Sequence, residues 1–146
     1  MCSSDLSVRA ALAHPGVMVI SDAGEIVNGA GHPRSTGTFA RTLGEYVREK
    51  RVMSLMDALA KMTLLPAQRM EGVAPMMKRK GRVQVGVDAD LTIFDPDKVK
   101  DVATFRKPAE ASTGIPFVIV AGEVVVEQGA IVPTAWPGKA VIGGAH

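Results

Sequence analysis

Asp22, His32 and Arg34 are the residues of this chain whose types and spacing suit chemistry. Asp22 follows the apolar run Val17–Ile20 and Ser21, and the Gly-rich stretch behind it closes on His32-Pro33-Arg34. A carboxylate delivered to a loop-lined cleft can serve as a general base or as a weak metal ligand. An arginine on such a loop can hold a substrate carboxylate with both arms of its guanidinium. Plainer readings stand beside these: an aspartate that caps a turn, and an imidazole and a guanidinium on a solvated surface loop.

The remaining chemistry-bearing side chains offer less. His14 belongs to the turn before the apolar run and His146 ends the chain, and no H-x-H or H-E-x-x-H pattern occurs. A metal site built from this chain alone therefore lacks ligands. Cys2 stands near the terminus without a nearby His or Cys partner; as the single cysteine it excludes an internal disulfide and fits a reducing compartment. Gly24, Gly29 and Gly31 do not follow the G-x-G-x-x-G order and no P-loop lysine is present, which argues against a nucleotide site. The basic cluster Lys78-Arg79-Lys80 with Arg82 has no interleaved aromatics, so it reads as a solvated loop and no nucleic-acid partner is expected. Met53, Met56, Met62 and Met70 read as core filler.

The elements that must position these groups follow from periodicity. Val8–Ala13 has helical spacing (Val8, Ala11, Leu12) and ends at His14-Pro15-Gly16, whereas the polar stretch 1–7 does not read as the start of a folded element. Val17–Ile20 reads as a strand buried on both faces, as parallel strands are. An acidic residue at the C-terminal end of such a strand is the layout of an α/β-barrel active site. Helix plus strand is half of a βαβ unit whose first strand is absent. Thr38 is the expected N-cap of a helix to about Lys50, with Phe39, Leu43, Tyr46 and Val47 on one face and Glu45, Arg48 and Glu49 on the other. Ser54-Leu55-Met56-Asp57 resembles a capping box opening a second helix with an apolar stripe of Leu55, Ala58, Leu59 and Met62. A third, short helix restarts at Leu64-Leu65-Pro66-Ala67.

From Gly81 the pattern turns to β. Arg82–Val85 alternates, 90–95 (DLTIFD) is a strand candidate, and 116–121 with 124–127 flank a Gly turn as a hairpin. The polar stretch 97–114 is irregular with a short helix over 99–105, and the tail from Pro133 is an extended strap. The composition break at 70–81 suggests two units, 8–72 and 81–132. With 146 residues the chain suits one ordinary domain, but a complete α/β barrel needs about 200 or more. At 47% hydrophobic it can build a core, which excludes a disordered reading. No apolar run approaches the ~20 residues of a membrane span and the N-terminus lacks signal-peptide order, so no membrane partner is expected and cytoplasm is the default.

Four blocks carry a family resemblance. VISDAG (19–24), HPRSTGTFARTLGEYVRE (32–49), SLMDALAKMTLLPAQRM (54–70) and GRVQVGVDADLTIFDPDKVKDVATF (81–105), the last followed by FVIVAGEVVVEQGA (117–130), resemble the C-terminal part of the amidohydrolase superfamily. The HPR-x-x-GTF block resembles the N-acyl-D-amino-acid deacylase (D-aminoacylase) branch. The resemblance implies α/β architecture: a C-terminal remnant of a (β/α)₈ TIM barrel metal-dependent hydrolase, plus part of a small β-sandwich made from both chain ends. It implies that Asp22 is the catalytic aspartate after the eighth barrel strand, taking a proton from metal-bound water and passing it to the leaving amine. Ala23 stands where the family usually has Gly. His32 and Arg34 match the active-site-side loop as substrate-binding positions. The implied cofactor is zinc and the implied partner a small-molecule N-acyl-D-amino acid. The family's metal-ligand histidines match nothing in this chain, so the expected metal ligands here are none and the chain alone is expected to be inactive. Two rivals remain: part of a dihydropyrimidinase-like cyclic amidase, in which the HPR-x-x-GTF block is not expected, and a non-catalytic binding or assembly module.

Overall fold

The computed structural model describes residues 3–22 and 24–144, so Cys2, Ala23 and His146 lie outside the described residues. Helix α1 spans Ser3–Ala13, starting earlier than the expected Val8. The polar N-terminal turn is helical because Asp5 sits in it, where a carboxylate favours the helix dipole, and because Lys50 Nζ reaches the same carboxylate at 2.6 Å. That lysine holds the Asp5 carboxyl below its ordinary range.

Val17–Ile20 is not a strand. Among the described residues it has no ladder partner; Val19 N donates to Lys61 O (3.0 Å), Val19 is buried and Ile20 is 71% exposed. A strand buried on both faces needs neighbours on both sides, and the sheet that forms lies elsewhere in the chain.

Helix α2 spans Arg34–Arg41 and continues without a break as a π-helical stretch, Thr42–Glu49. Its N-cap is Pro33 rather than Thr38, since proline's fixed φ (−59° here) is pre-set for helix entry. Thr38 instead donates its hydroxyl back to Arg34 O at 2.8 Å. The wider π-helical turn buries Thr42, Leu43, Gly44 and Tyr46, a broader face than the α-helical spacing predicts, and leaves Phe39 exposed. Helix α3, Leu55–Met62, has the expected cap: Asp57 N donates to Ser54 Oγ (3.1 Å), and that hydroxyl donates to Asp57 Oδ2 (2.7 Å). Helix α4 spans Leu64–Met70 and a 3₁₀ turn follows at Pro75–Arg79. Among the described residues no helix is long and apolar enough to cross a membrane.

One antiparallel sheet has the order β1 (Leu91–Ile93), β2 (Phe117–Val120), β3 (Glu123–Glu127), β4 (Ala130–Ile131). The β2–β3 connection is a two-residue turn, Ala121-Gly122, with φ of 49° and 86°. Positive φ at both positions is the hairpin turn whose twist matches the strands, and glycine adopts it without strain. Gln128-Gly129 repeats the geometry between β3 and β4. Arg82–Val85 forms no strand; Val83 and Val85 are 88% and 99% exposed and find no partner among the described residues. The expected helix over 99–105 is absent as well. Asp95 Oδ1 accepts from Asp97 N and Asp101 Oδ1 from Ala103 N, both at 2.9 Å, and such local side-chain bonds compete with helix.

The main core joins Ala40, Leu43, Ala58 and Val99, packed by Val47, Met53, Leu55, Leu59, Met62, Phe94 and Ile115. A second cluster joins Leu12, Val19 and Tyr46, with Met53 and Met62 touching both. Met56 and Met70, expected in the core, are exposed. Segment 95–114 is bolted onto α2 and its continuation. Thr36 Oγ1 donates to Pro108 O (2.8 Å), Ser112 Oγ to Thr36 O (3.2 Å), and Arg48 Nη1 to Pro96 O and Val99 O (3.0 and 2.8 Å). The architecture is mixed α and β, with helices and one small sheet.

Candidate active site

The three residues picked out by the sequence come together at the N-terminal end of α2. Arg34 Nη2 stands 2.7 Å from Asp22 Oδ2, and Arg34 Nε donates to Asp22 O at 3.1 Å. One guanidinium thus holds both the side chain and the backbone of Asp22. The pair is open to solvent, with side chains 81% (Asp22) and 50% (Arg34) exposed.

The loop between them is closed by its own polar groups. Val27 and Ala30 exchange both backbone hydrogen bonds (3.0 and 2.9 Å) around Asn28-Gly29, which have φ of 50° and 77°. Ser35 Oγ accepts from Gly24 N (3.1 Å) and donates to Gly24 O (3.2 Å), while Ser21 Oγ donates to Arg34 O (3.3 Å). The start of α2 and the residues around Asp22 are therefore stitched from both sides.

His32 belongs to the same knot. Its Nδ1 accepts from Arg34 N at 3.1 Å, so in the neutral ring Nε2 carries the proton. The ring meets Phe105 edge-on, with centroids 4.9 Å apart and planes at 78°. Phe105 comes from the 95–114 segment, and its contact links that segment to the candidate site. Ser21, Ser35 and Phe105 carried no site signal in the sequence: two serines in a Gly-rich loop look like solubilising residues, and a lone Phe in a polar stretch looks like packing.

Chemically the constellation offers an anion and a cation in contact, with an imidazole braced beside the cation. The carboxylate can accept a proton; the planar guanidinium can exchange its Asp22 partner for another carboxylate of the same geometry.

The sequence pattern of the amidohydrolase family matches residues 7–126. The chain belongs to this family. Among curated relatives, the N-acyl-D-glutamate deacylase of Alcaligenes xylosoxydans xylosoxydans is 44% identical over 133 residues, which is 90% of this chain and 25% of that protein. The D-aminoacylase of the same organism is 44% identical over 97 residues, covering 66% of this chain and 19% of that protein. Among solved structures, the N-acyl-D-glutamate deacylase of Bordetella bronchiseptica, complexed with zinc and a phosphonate inhibitor that mimics the tetrahedral intermediate, superposes with a TM-score of 0.78 at 40% identity. That match covers 94% of this chain and 27% of the other. A D-aminoacylase crystal structure superposes with a TM-score of 0.79 at 38% identity, covering 89% and 26%. The chain spans about a fifth to a quarter of the length of these relatives.

Zinc is bound in the Bordetella structure. Among the described residues of this chain, no three His, Cys, Asp or Glu side chains gather as a metal ligand set. Asp22, the carboxylate at the site, has one oxygen engaged by Arg34. By the chemistry of their donors, the residues present do not fit a zinc site by themselves.

Proposed function

We propose that this chain is the C-terminal part of a zinc-dependent hydrolase that cleaves the amide of N-acyl-D-amino acids. In this reading 8–72 carries the segment that becomes the last strand of a (β/α)₈ barrel when the parent's other strands lie beside it, with its following helices, and 81–132 is the C-terminal share of a small β-sandwich. The observation that carries the proposal is the contact of Asp22 with Arg34, braced by His32, at the end of the apolar segment Val17–Ile20. Matches to deacylases of this type along most of the chain support the same substrate class.

Asp22 is the proton carrier. It takes a proton from the attacking water and delivers it to the amide nitrogen as the C–N bond breaks, so that the products are a carboxylic acid and a free amine. Arg34 grips the α-carboxylate of the substrate with its fork, and His32 braces the backbone at Arg34 by accepting from its N–H. No step is assigned to a metal held by these residues, and the chain alone is expected to be inactive.

The test is a graft. This chain replaces the matching quarter of the Alcaligenes N-acyl-D-glutamate deacylase, and the graft is assayed against N-acetyl-D- and N-acetyl-L-amino acids beside the isolated chain. The proposal predicts hydrolysis of the D-substrates by the graft and none by the isolated chain. A well-folded, zinc-loaded graft that hydrolyses neither would refute it.

A further inference from the structure

Lys61 is the one charged side chain among the core residues of the described chain: it lies in α3 and is only 5% exposed. A buried ammonium is costly unless its protons are taken up, and here two of the three are. Lys61 Nζ donates to Leu12 O at 2.6 Å and to His14 O at 2.5 Å. Leu12 is in the last turn of α1 and His14 is the first residue after it. The last carbonyls of a helix have no partner within the helix and carry the negative end of its dipole, so a cation there satisfies both.

The same residue makes a second connection through its backbone. Lys61 O accepts from Val19 N at 3.0 Å. Val19 is buried against Leu12 and Tyr46, with Met62 packed on the same cluster. Side chain and main chain of Lys61 therefore grip the two ends of the segment from Leu12 to Val19. Three residues beyond that grip stands Asp22.

We propose that Lys61 is the positioning residue of Asp22. Its ammonium fixes where the chain leaves α1, and its carbonyl fixes the height of the apolar segment. Together they set where the Asp22 carboxylate emerges relative to Arg34. Nothing else among the described residues ties the backbone of 17–20 to the helices: Val17 N bonds only within its own turn, to His14 O at 3.2 Å. An apolar side chain of equal length would fill the same volume yet leave the Leu12 carbonyl unpaired and His14 O with only its bond from Val17 N, and the exit from α1 would be free to move. Lys61 touches neither Asp22 nor any reacting atom, and acts only through Val19. The role rests on the proposed function insofar as Asp22 is the proton carrier; the positioning itself does not.

The test compares the intact chain with its Lys61→Met and Lys61→Arg variants by ¹H–¹⁵N NMR. Three signals are read: amide hydrogen exchange at Val19, the Arg34 Nε–H resonance that reports the bond to Asp22 O, and exchange in the β2–β3 hairpin as a reference far from the grip. The expected result for K61M is at least a tenfold rise in Val19 exchange and loss or displacement of the Arg34 Nε–H signal, with the hairpin unchanged. K61R, which keeps a cationic donor, restores both signals in large part. Unchanged Val19 exchange and Arg34 signal in K61M would overturn the proposal. So would equal acceleration of every amide, the hairpin included, in both variants, because that is loss of stability without positioning. Should K61M not fold, K61R alone decides: native Val19 and Arg34 signals are required. A fully active Asp22→Asn graft would remove the catalytic reading of Asp22 while leaving these NMR outcomes as they are.

Discussion

Asp22 and Arg34 lie twelve residues apart in sequence and meet twice, carboxylate to guanidinium at 2.7 Å and backbone carbonyl to Nε at 3.1 Å. The contact makes a loop function as a joint: in the proposed reading, the proton carrier and the substrate-holding residue are placed by each other. On that proposal, a substrate carboxylate entering the fork would displace Asp22 and release the carboxylate for proton transfer.

Arg34→Lys separates the two roles of that contact. Lysine keeps the charge but has no planar fork. Because the pair is exposed, the change in stability should stay below about 1 kcal/mol. In the graft, KM for N-acyl-D-amino acids should rise roughly tenfold or more, in line with the ~1.5–3 kcal/mol of a charge-assisted bond. Thermal melts and Michaelis kinetics check the two halves; a lowered kcat at unchanged KM would speak against carboxylate binding by Arg34.

Two glycines on α2 and its π-helical continuation predict contrasting outcomes. A Cβ at Gly44 would stand 2.7 Å from the carbonyl oxygen of Val99, a fully buried residue whose backbone cannot retreat. Gly44→Ala should therefore cost about 1–3 kcal/mol. A Cβ at Gly37 would meet the Asp101 carboxylate at 2.1 Å, and that carboxylate also accepts from Ala103 N. Gly37→Ala should destabilise as well, but Asp101→Ala in the same chain should return part of the loss, whereas it should do nothing for Gly44→Ala. Urea unfolding of these four variants and of Asp101→Ala alone gives the coupling directly.

Acid should loosen the edge of the sheet. Asp90 Oδ1 accepts from Ala121 N at 2.8 Å, and its other oxygen is engaged by Lys80, which also reaches Asp88 at 3.1 Å. The bond from Lys80 lowers the Asp90 carboxyl below its ordinary range, and Arg79 does the same for Asp88. Lys80 is raised above its ordinary value, chiefly by Asp90. A carboxylate with a lowered folded pKa contributes stability above its unfolded value near 3.9, and loses it as pH falls through the folded value. A raised lysine contributes below about 10.4 and loses it as pH climbs past its folded value. The network should thus be intact from about pH 4 to pH 10. Asp90→Asn should flatten the acid limb of a stability–pH curve and accelerate exchange at Ala121; an unchanged acid limb would show that the network is idle.

The turn of the β2–β3 hairpin offers a stabilising change. Ala121 sits at φ 49°, which a Cβ disfavours and glycine does not. Ala121→Gly should raise stability by about 0.5–1 kcal/mol, measured by denaturant unfolding. A loss of stability would mean that the turn is held by contacts of the alanine methyl.

The sequence made the local rules of this fold readable and the long-range ones obscure. Ser54 caps α3 as its spacing with Asp57 implies, Pro66 lies in the first turn of α4, and the apolar runs around Gly122 pair as a hairpin. Each depends on neighbours within a few residues. Val17–Ile20 and Arg82–Val85 carry strand patterns, but a strand needs a partner, and no pattern inside a segment supplies one. The helix expected over 99–105 fails because Asp95 and Asp101 bond their own loops, a competition that hydrophobic spacing does not register. Asp22, His32 and Arg34, singled out by residue type and by the family blocks, are brought into contact by the fold. Lys61 was not singled out: a lysine on a helix looks solvated, and only the fold shows that the end of α1 covers it.

The most direct measurement of the central claim is the turnover of the graft carrying Asp22→Asn. Asparagine keeps the shape and can still accept a bond from Arg34, but it cannot carry the proton. If Asp22 is the proton carrier, kcat on an N-acyl-D-amino acid should fall by about 10²–10⁴, the span of general acid–base catalysis, with KM changed far less. A D22N graft that keeps its metal and its fold and turns over within about twofold of the unmodified graft would contradict the account.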